Sequence, residues 1–460
     1  MPTTVSIPRL IIAGTHSGVG KTSIALGILA RLRRMGWAPQ PFKVGPDFID
    51  PSLHTSVSGR VSRNLDSFLN TEAVNRDIFQ HAAKGSRISV IEGAMGLFDG
   101  YSGSDERGSS AHMAKILSAP VILVVDASAS CRSIAAVVKG FESFDPKIRV
   151  AGIFLNKVAG ERHLTWLKES LSGHVKAKLV GHAFSDPKLH IAERHLGLIP
   201  AAEKSLPKEW MQRLDRQLKK QVNWPLLLKI ARSAPLFCVP SRSLFPTPMP
   251  PRTTIAIARD AAFCFYYQDN LDLLKAYGAK LIPFSPMRDP LPKQAKGLYL
   301  GGGYPELWGK ELAANKSLRR DIAAKSKAGF PVYAECGGLM YLGKTLRDFK
   351  GRTHPMTGAL PYRTEMSRRM KLAYVQATSR KDNLISTKRE RFAAHVFHFS
   401  DLKAEGKSHY SYELDDGKNK LSDGITSKNT LASYCHVHFA SLPSLAKRFV
   451  DVCASSRKSC

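Results

Sequence analysis

Short apolar runs rich in β-branched residues recur through the first half of the chain, at 10–13, 88–91, 121–125 and 150–155. Between them lie longer stretches with helical spacing. In 23–35, Ile24, Ile28, Leu29 and Leu32 share one helical face, so a helix is expected directly after the first run. Continuous apolar strands separated by helices predict a parallel sheet covered on both faces. The rhythm breaks at 234–251, which holds Pro235, Pro240, Pro246, Pro248, Pro250 and Pro251. Proline fixes φ and removes a backbone donor, so this stretch reads as a stiff linker. A second α/β pattern follows, with strands expected at 254–258, 281–284, 297–300 and 332–334 and a helix at 270–277. The expected organisation is one domain over 1–233, a linker over 234–252 and a second domain over 253–460. Residues 454–460 are expected to fray.

Composition narrows the class. A chain of 460 residues is long enough for two or three domains, and 43% hydrophobic with 23% charged residues is ordinary for a globular protein. No apolar stretch is long enough to span a bilayer, and the first residues do not resemble a secretory signal. The seven cysteines are scattered and none forms a CxxC pair, which suggests neither a zinc site nor a disulfide framework. A reducing, cytoplasmic setting is expected. The formal charge of +30 admits nucleic acid or an anionic substrate as partner. The basic residues are dispersed, however, and no nucleic-acid motif accompanies them. No nucleic-acid partner and no membrane partner is therefore expected.

Two motifs carry chemistry. The first is Gly14-Thr15-His16-Ser17-Gly18-Val19-Gly20-Lys21-Thr22. Its end fits a phosphate-binding loop, although Thr15 stands where the first glycine of that pattern would be. Backbone amides of such a loop and the following helix N-terminus suit phosphate oxygens. Gly14, Thr15, Ser17, Gly18, Gly20, Lys21 and Thr22 form the expected nucleotide set, with Thr22 also a ligand for Mg²⁺. Asp47 and Glu92, at carboxyl ends of strands, are the other magnesium candidates. Asp50 and Asp99 read as cap or turn residues.

The second motif is Ala334-Glu335-Cys336-Gly337-Gly338-Leu339. A strand ends here and a helix begins, so Cys336 is expected on a sharp elbow that exposes a nucleophile. The glycine loop at 300–304 could add an oxyanion donor. A cysteine nucleophile needs a base, and His395, His398, His436 and His438 are the candidates.

The segments GTHSGVGKT (14–22), KVGPDFIDP (43–51), IEGAMGLFDG (91–100), ARDAAFCFYY (258–267), LGGGYPEL (300–307), AECGGLMYL (334–342) and SYCHVHF (433–439) together resemble the cobyrinic acid a,c-diamide synthase family over nearly the whole chain. The resemblance implies a P-loop NTPase-like doubly wound parallel sheet, similar to dethiobiotin synthetase, plus a class I glutamine amidotransferase-like α/β domain. It implies a carbon–nitrogen ligase that takes ATP, L-glutamine and a corrinoid polycarboxylate, with Mg²⁺. An acyl phosphate forms in the first domain, and ammonia comes from a Cys336 thioester in the second. Carried over, Cys336 is the nucleophile, His436 its base, and Asn156 faces the adenine. A homodimer is one expected assembly. Two positions depart from the pattern: Phe48 stands where the family tends to have tyrosine, and Val396 where an acidic residue is expected. Hydrogenobyrinate or nickel-sirohydrochlorin as substrate remains open. So does a DNA-partitioning ATPase, although that group has a second lysine where this chain has His16 and lacks the cysteine elbow.

Overall fold

The computed structural model describes residues 4–189, 193–194, 197–198, 203, 206–238, 243–405 and 409–456. It divides into two compact units, Met1–Ser243 and Leu244–Cys460.

The first unit is built on a parallel sheet. Its strands run in the order Arg63–Leu65, Gln40–Val44, Ser89–Glu92, Arg9–Gly14, Val121–Asp126, Val150–Val158 and Lys178–Phe184. Four of these contain the apolar runs of the sequence. They are buried on both faces, which explains why they lack a polar/apolar alternation. The helix Lys21–Arg34 follows the central strand. It packs Ile24, Ile28, Leu29 and Leu32 into a core shared with Leu10, Ile12, Val90 and Val124. The strand order reverses beside Arg9–Gly14, where the loop to that helix lies at the carboxyl edge, the usual ligand crevice of such sheets.

The second unit starts from a parallel set ordered Ala279–Phe284, Thr253–Ala258, Gly297–Leu300, Val332–Glu335 and Thr430–Ser433. The sheet continues in antiparallel fashion through Lys420–Ser427, Tyr410–Asp415 and Tyr362–Ser379. The long strand Tyr362–Ser379 pairs with Arg391–Ala404, which also pairs with Cys435–Val437.

The proline-rich stretch is tied down at both ends. Phe237–Cys238 pairs with Thr4–Val5, and Met249 N donates to Ala276 O at 3.1 Å. Pro240 lies outside the described residues. The helix Ser444–Ser455 extends ordered structure past the expected start of fraying at 454, because Leu445, Phe449 and Cys453 pack inward. Residues 457–460 lie outside the described residues.

Candidate functional site

In the first unit, a cavity of about 730 Å³ opens beside the Gly20 turn. Ser17, Gly18, Gly20, Lys21 and Thr22 line it, with Asp47, Glu92 and Asn156. Gly20 caps the helix with φ 97°, and a Cβ there would lie 2.2 Å from Asn156 Nδ2, so only glycine fits. Asn156 Nδ2 donates to Val19 O at 2.8 Å and thereby braces the loop. Gly14 and Thr15 are not part of the cavity wall. The Gly14 carbonyl accepts from Leu97 N at 2.8 Å and the Thr15 amide donates to Val124 O at 3.2 Å, so both are spent on the sheet and its neighbouring loop.

A buried ionic cluster forms the floor. Lys43 Nζ lies 2.8 Å from Asp50 Oδ2 and 2.9 Å from Glu92 Oε1. Thr22 Oγ1 donates to Glu92 Oε1 at 2.7 Å, and His54 Nε2 is 2.6 Å from Glu92 Oε2. Burial would raise the Glu92 carboxyl, but Lys43, His54 and Thr22 hold it well below its ordinary range. Burial and the neighbouring Asp47 instead push Asp50 well up despite Lys43, so Glu92 is the charged partner of that lysine. Lys21, lowered to about 8 by burial and then by Lys43, is a cation awaiting anions. Asp47 Oδ1 accepts from Ile49 N at 2.7 Å and caps the following helix, while Asp50 Oδ2 lies against Lys43 Nζ. The sequence reading made Asp50 a cap or turn residue and Asp47 a magnesium candidate. Asp99 does serve as a turn residue, accepting from Gly96 N at 2.8 Å. Lys43 and His54 escaped notice. His54 follows Asp50 by one helical turn, a spacing that could have flagged it. Phe48 is buried at the start of that helix.

In the second unit, Cys336 sits between the strand Val332–Glu335 and the helix Gly337–Leu342 with φ 47°. A left-handed conformation at a non-glycine residue costs about 1–3 kcal/mol and persists where surrounding structure enforces it. Here Cys336 N donates to Ser433 O at 2.8 Å and Met340 N to Cys336 O at 3.0 Å. The glycine loop packs against the elbow, since a Cβ on Gly337 would lie 3.0 Å from Gly303 N. The amides of Gly338 and Gly301 are already committed, to Gly301 O at 3.0 Å and Tyr266 Oη at 2.8 Å.

The four histidines separate. Burial, then the nearby His436 and His438, hold His395 well below its ordinary range. Burial and Lys371 hold His398 down at about 3. His436 behaves oppositely. Burial pulls it down, yet the hydrogen bonds and charges of Cys336 and Glu335 push it up to about 9. His436 is thus the histidine that holds a proton beside Cys336 and Glu335. His395 stands directly opposite His436 across the antiparallel pair and stacks on it at 4.8 Å. His438 turns toward Asp269, with Nε2 3.7 Å from Oδ2. Val396 pairs with Cys435, one register position away from the His395–His436 pair. On a pleated strand that places it on the opposite face, so an acid there would point away from His436.

The raised His436 sets a pH limit. Its proton is available to departing ammonia, so glutaminase kcat/KM is expected to fall as pH rises through about 9. A plateau well beyond that pH in initial-rate assays would count against the ion pair. Gly302 supplies a second check. A Cβ there would lie 2.7 Å from His436 Cε1. Gly302→Ala is therefore expected to displace the ring, cutting glutaminase by about 10- to 100-fold and costing roughly 1–3 kcal/mol from overpacking. Wild-type glutamine turnover in that variant would contradict the packing described.

Residues 10–198 match the CobQ/CobB/MinD/ParA nucleotide binding domain, and residues 254–443 match the CobB/CobQ-like glutamine amidotransferase domain. The first unit is a P-loop NTPase-like α/β domain and the second a glutamine amidotransferase-like one. Curated relatives align end to end. Cobyrinate a,c-diamide synthase of Dehalococcoides mccartyi is 40% identical over 97% of this chain and 98% of its own. The enzymes of that name from Methanosarcina barkeri and a Synechococcus strain are each 39% identical, over 99% and 96% of this chain and 97% and 98% of theirs. Two full-length active units, matched throughout at such identity, place the chain in the cobyrinate a,c-diamide synthase family of glutamine-dependent ligases.

Proposed function

We propose that the chain converts the a and c acetate carboxylates of cobyrinate to amides, using ATP and glutamine. The supporting observation is the coexistence of a lysine-floored phosphate cavity with a strained cysteine paired to an imidazolium. The ATP-dependent part is assigned to 1–233, the link to 234–252 and the glutaminase to 253–460.

A carboxylate is a poor electrophile. Its oxygen attacks the γ-phosphorus of ATP, ADP leaves, and the acyl carbon gains a phosphate leaving group. Lys21 and Lys43 neutralise the charge that builds on the phosphoryl oxygens, and the amides of 17–22 cradle the chain of phosphates. Asn156, which braces the loop, borders the space for the adenine. Thr22 Oγ1, the uncapped oxygen of Asp47 and Glu92 Oε1 would hold Mg²⁺. These are hard oxygen donors, as this ion prefers. Among the described residues no group of three His, Cys, Asp or Glu side chains is arranged to hold a metal alone. That suits an ion that keeps waters and draws on substrate phosphates, and when bound it would offset phosphate charge.

In the second unit, the Cys336 thiolate attacks the glutamine carboxamide carbon. The C–N bond breaks, His436 gives its proton to the leaving ammonia, and a thioester remains for water to hydrolyse. The amides of Gly337 and Gly303 are the nearest candidates for the oxyanion. Ammonia then attacks the acyl phosphate and expels inorganic phosphate. Glutamine-dependent turnover of cobyrinate, hydrogenobyrinate and nickel-sirohydrochlorin tests the substrate. The highest kcat/KM is expected on cobyrinate, and preference for either other tetrapyrrole would reassign it.

A further inference from the structure

The base has a carboxylate within reach that the two-residue account of the glutaminase leaves unused. Glu335 immediately precedes the nucleophile and is buried. Its Oε2 lies 3.8 Å from His436 Nδ1. The carboxylate is fixed rather than loose. Oε1 accepts from Tyr333 Oη at 2.6 Å and from Val437 N at 3.2 Å, and Oε2 accepts from Tyr299 Oη at 3.1 Å. The Val437 amide directly follows His436, so one side chain anchors the strand that carries the base and faces the base itself.

We propose that Glu335 is the positioning acid for His436, completing a Cys336–His436–Glu335 relay in which the acid and the nucleophile are sequence neighbours. This rests on the glutaminase reading above. A buried imidazolium needs an opposite charge close by. The groups facing His436 are Cys336 and Glu335 on the elbow strand, and His395 across the antiparallel pair, with His398 beyond it. The Tyr267 hydroxyl lies 3.2 Å from His395 Nδ1, and its ring centre is 4.5 Å from that of His438, whose ring faces Asp269. Within this set the Glu335 carboxylate is the one group placed against Nδ1. A gap of 3.8 Å can close when substrate binds, as catalytic hydrogen bonds often tighten then. The geometry also accounts for an active site without an acid at position 396.

The test is Glu335→Gln in the full chain, which keeps the shape and one acceptor oxygen for a tyrosine and removes the charge. Glutaminase kcat is expected to fall by about 10²-fold or more with KM little changed. The alkaline limb of the pH profile is expected to move down by about one unit, because the imidazolium loses its counter-charge. A merely structural role would lower activity without moving the limb, and that result, or wild-type activity, overturns the proposal. Glu335→Asp keeps the charge but withdraws it by one methylene. It is expected to recover part of the activity with an intermediate limb, and it decides the matter if the glutamine variant does not fold: an unmoved limb there is equally fatal. Absence of glutaminase in the wild type would instead defeat the underlying reading.

Discussion

Replacing Cys336 by serine is expected to lower glutamine-dependent amidation by more than about 10⁴-fold, since removing the nucleophile of such a unit removes nearly all its catalysis. Amidation driven by ammonium salts should survive largely intact. The elbow, its histidine and its glycine loop all belong to the second unit, whereas the phosphate cavity belongs to the first. Neither the cavity lining nor the ionic floor involves Cys336. The substitution changes one atom at a buried position, so the fold should hold. Rates with glutamine and with ammonium chloride, measured on the same preparation, check this. Equal loss of both would mean that the two chemistries are not separable.

Lys21→Ala is expected to remove both nitrogen routes together, each by about 10²–10³-fold, the usual penalty for losing one preorganised charge contact. Activation of the carboxylate precedes either nitrogen source. Lys21 reaches back to His16 O at 3.1 Å, inside the loop it serves, and burial with Lys43 nearby already lowers it to about 8. Bound phosphates would relieve that repulsion. Hydrolysis of glutamine alone should continue, which separates this variant from Cys336→Ser. Product formation near the wild-type rate with either donor would remove Lys21 from the reaction.

Much of this architecture was legible in the chain. The buried parallel strands announced themselves because both faces are covered, leaving unbroken apolar runs such as Leu10 to Ala13. The loop before Lys21 and the elbow at Cys336 were visible because glycine spacing and a strand-to-helix switch are local. The paired strands Tyr362–Ser379 and Arg391–Ala404 were not. Long exposed segments such as Arg368, Arg369 and Lys371 carry no apolar period, and only tertiary pairing holds them extended. Which histidine serves Cys336 was open for the same reason. Contacts with Cys336 and Glu335, not sequence spacing, raise His436 against its burial, while burial depresses His395 and His398. That Asp47 caps the helix and Asp50 faces Lys43 was not legible, because a cap role suits either aspartate at a helix start. Among the described residues, no helix is long and apolar enough to cross a membrane.

The central claim is that the acid is energised by phosphorylation before nitrogen arrives. Substrate carrying ¹⁸O in its acetate carboxylates, turned over with ATP and glutamine, tests it by mass analysis of the phosphate released. One heavy oxygen in inorganic phosphate for each amide formed is the predicted result. Phosphate containing none would contradict an acyl phosphate and the account built on it.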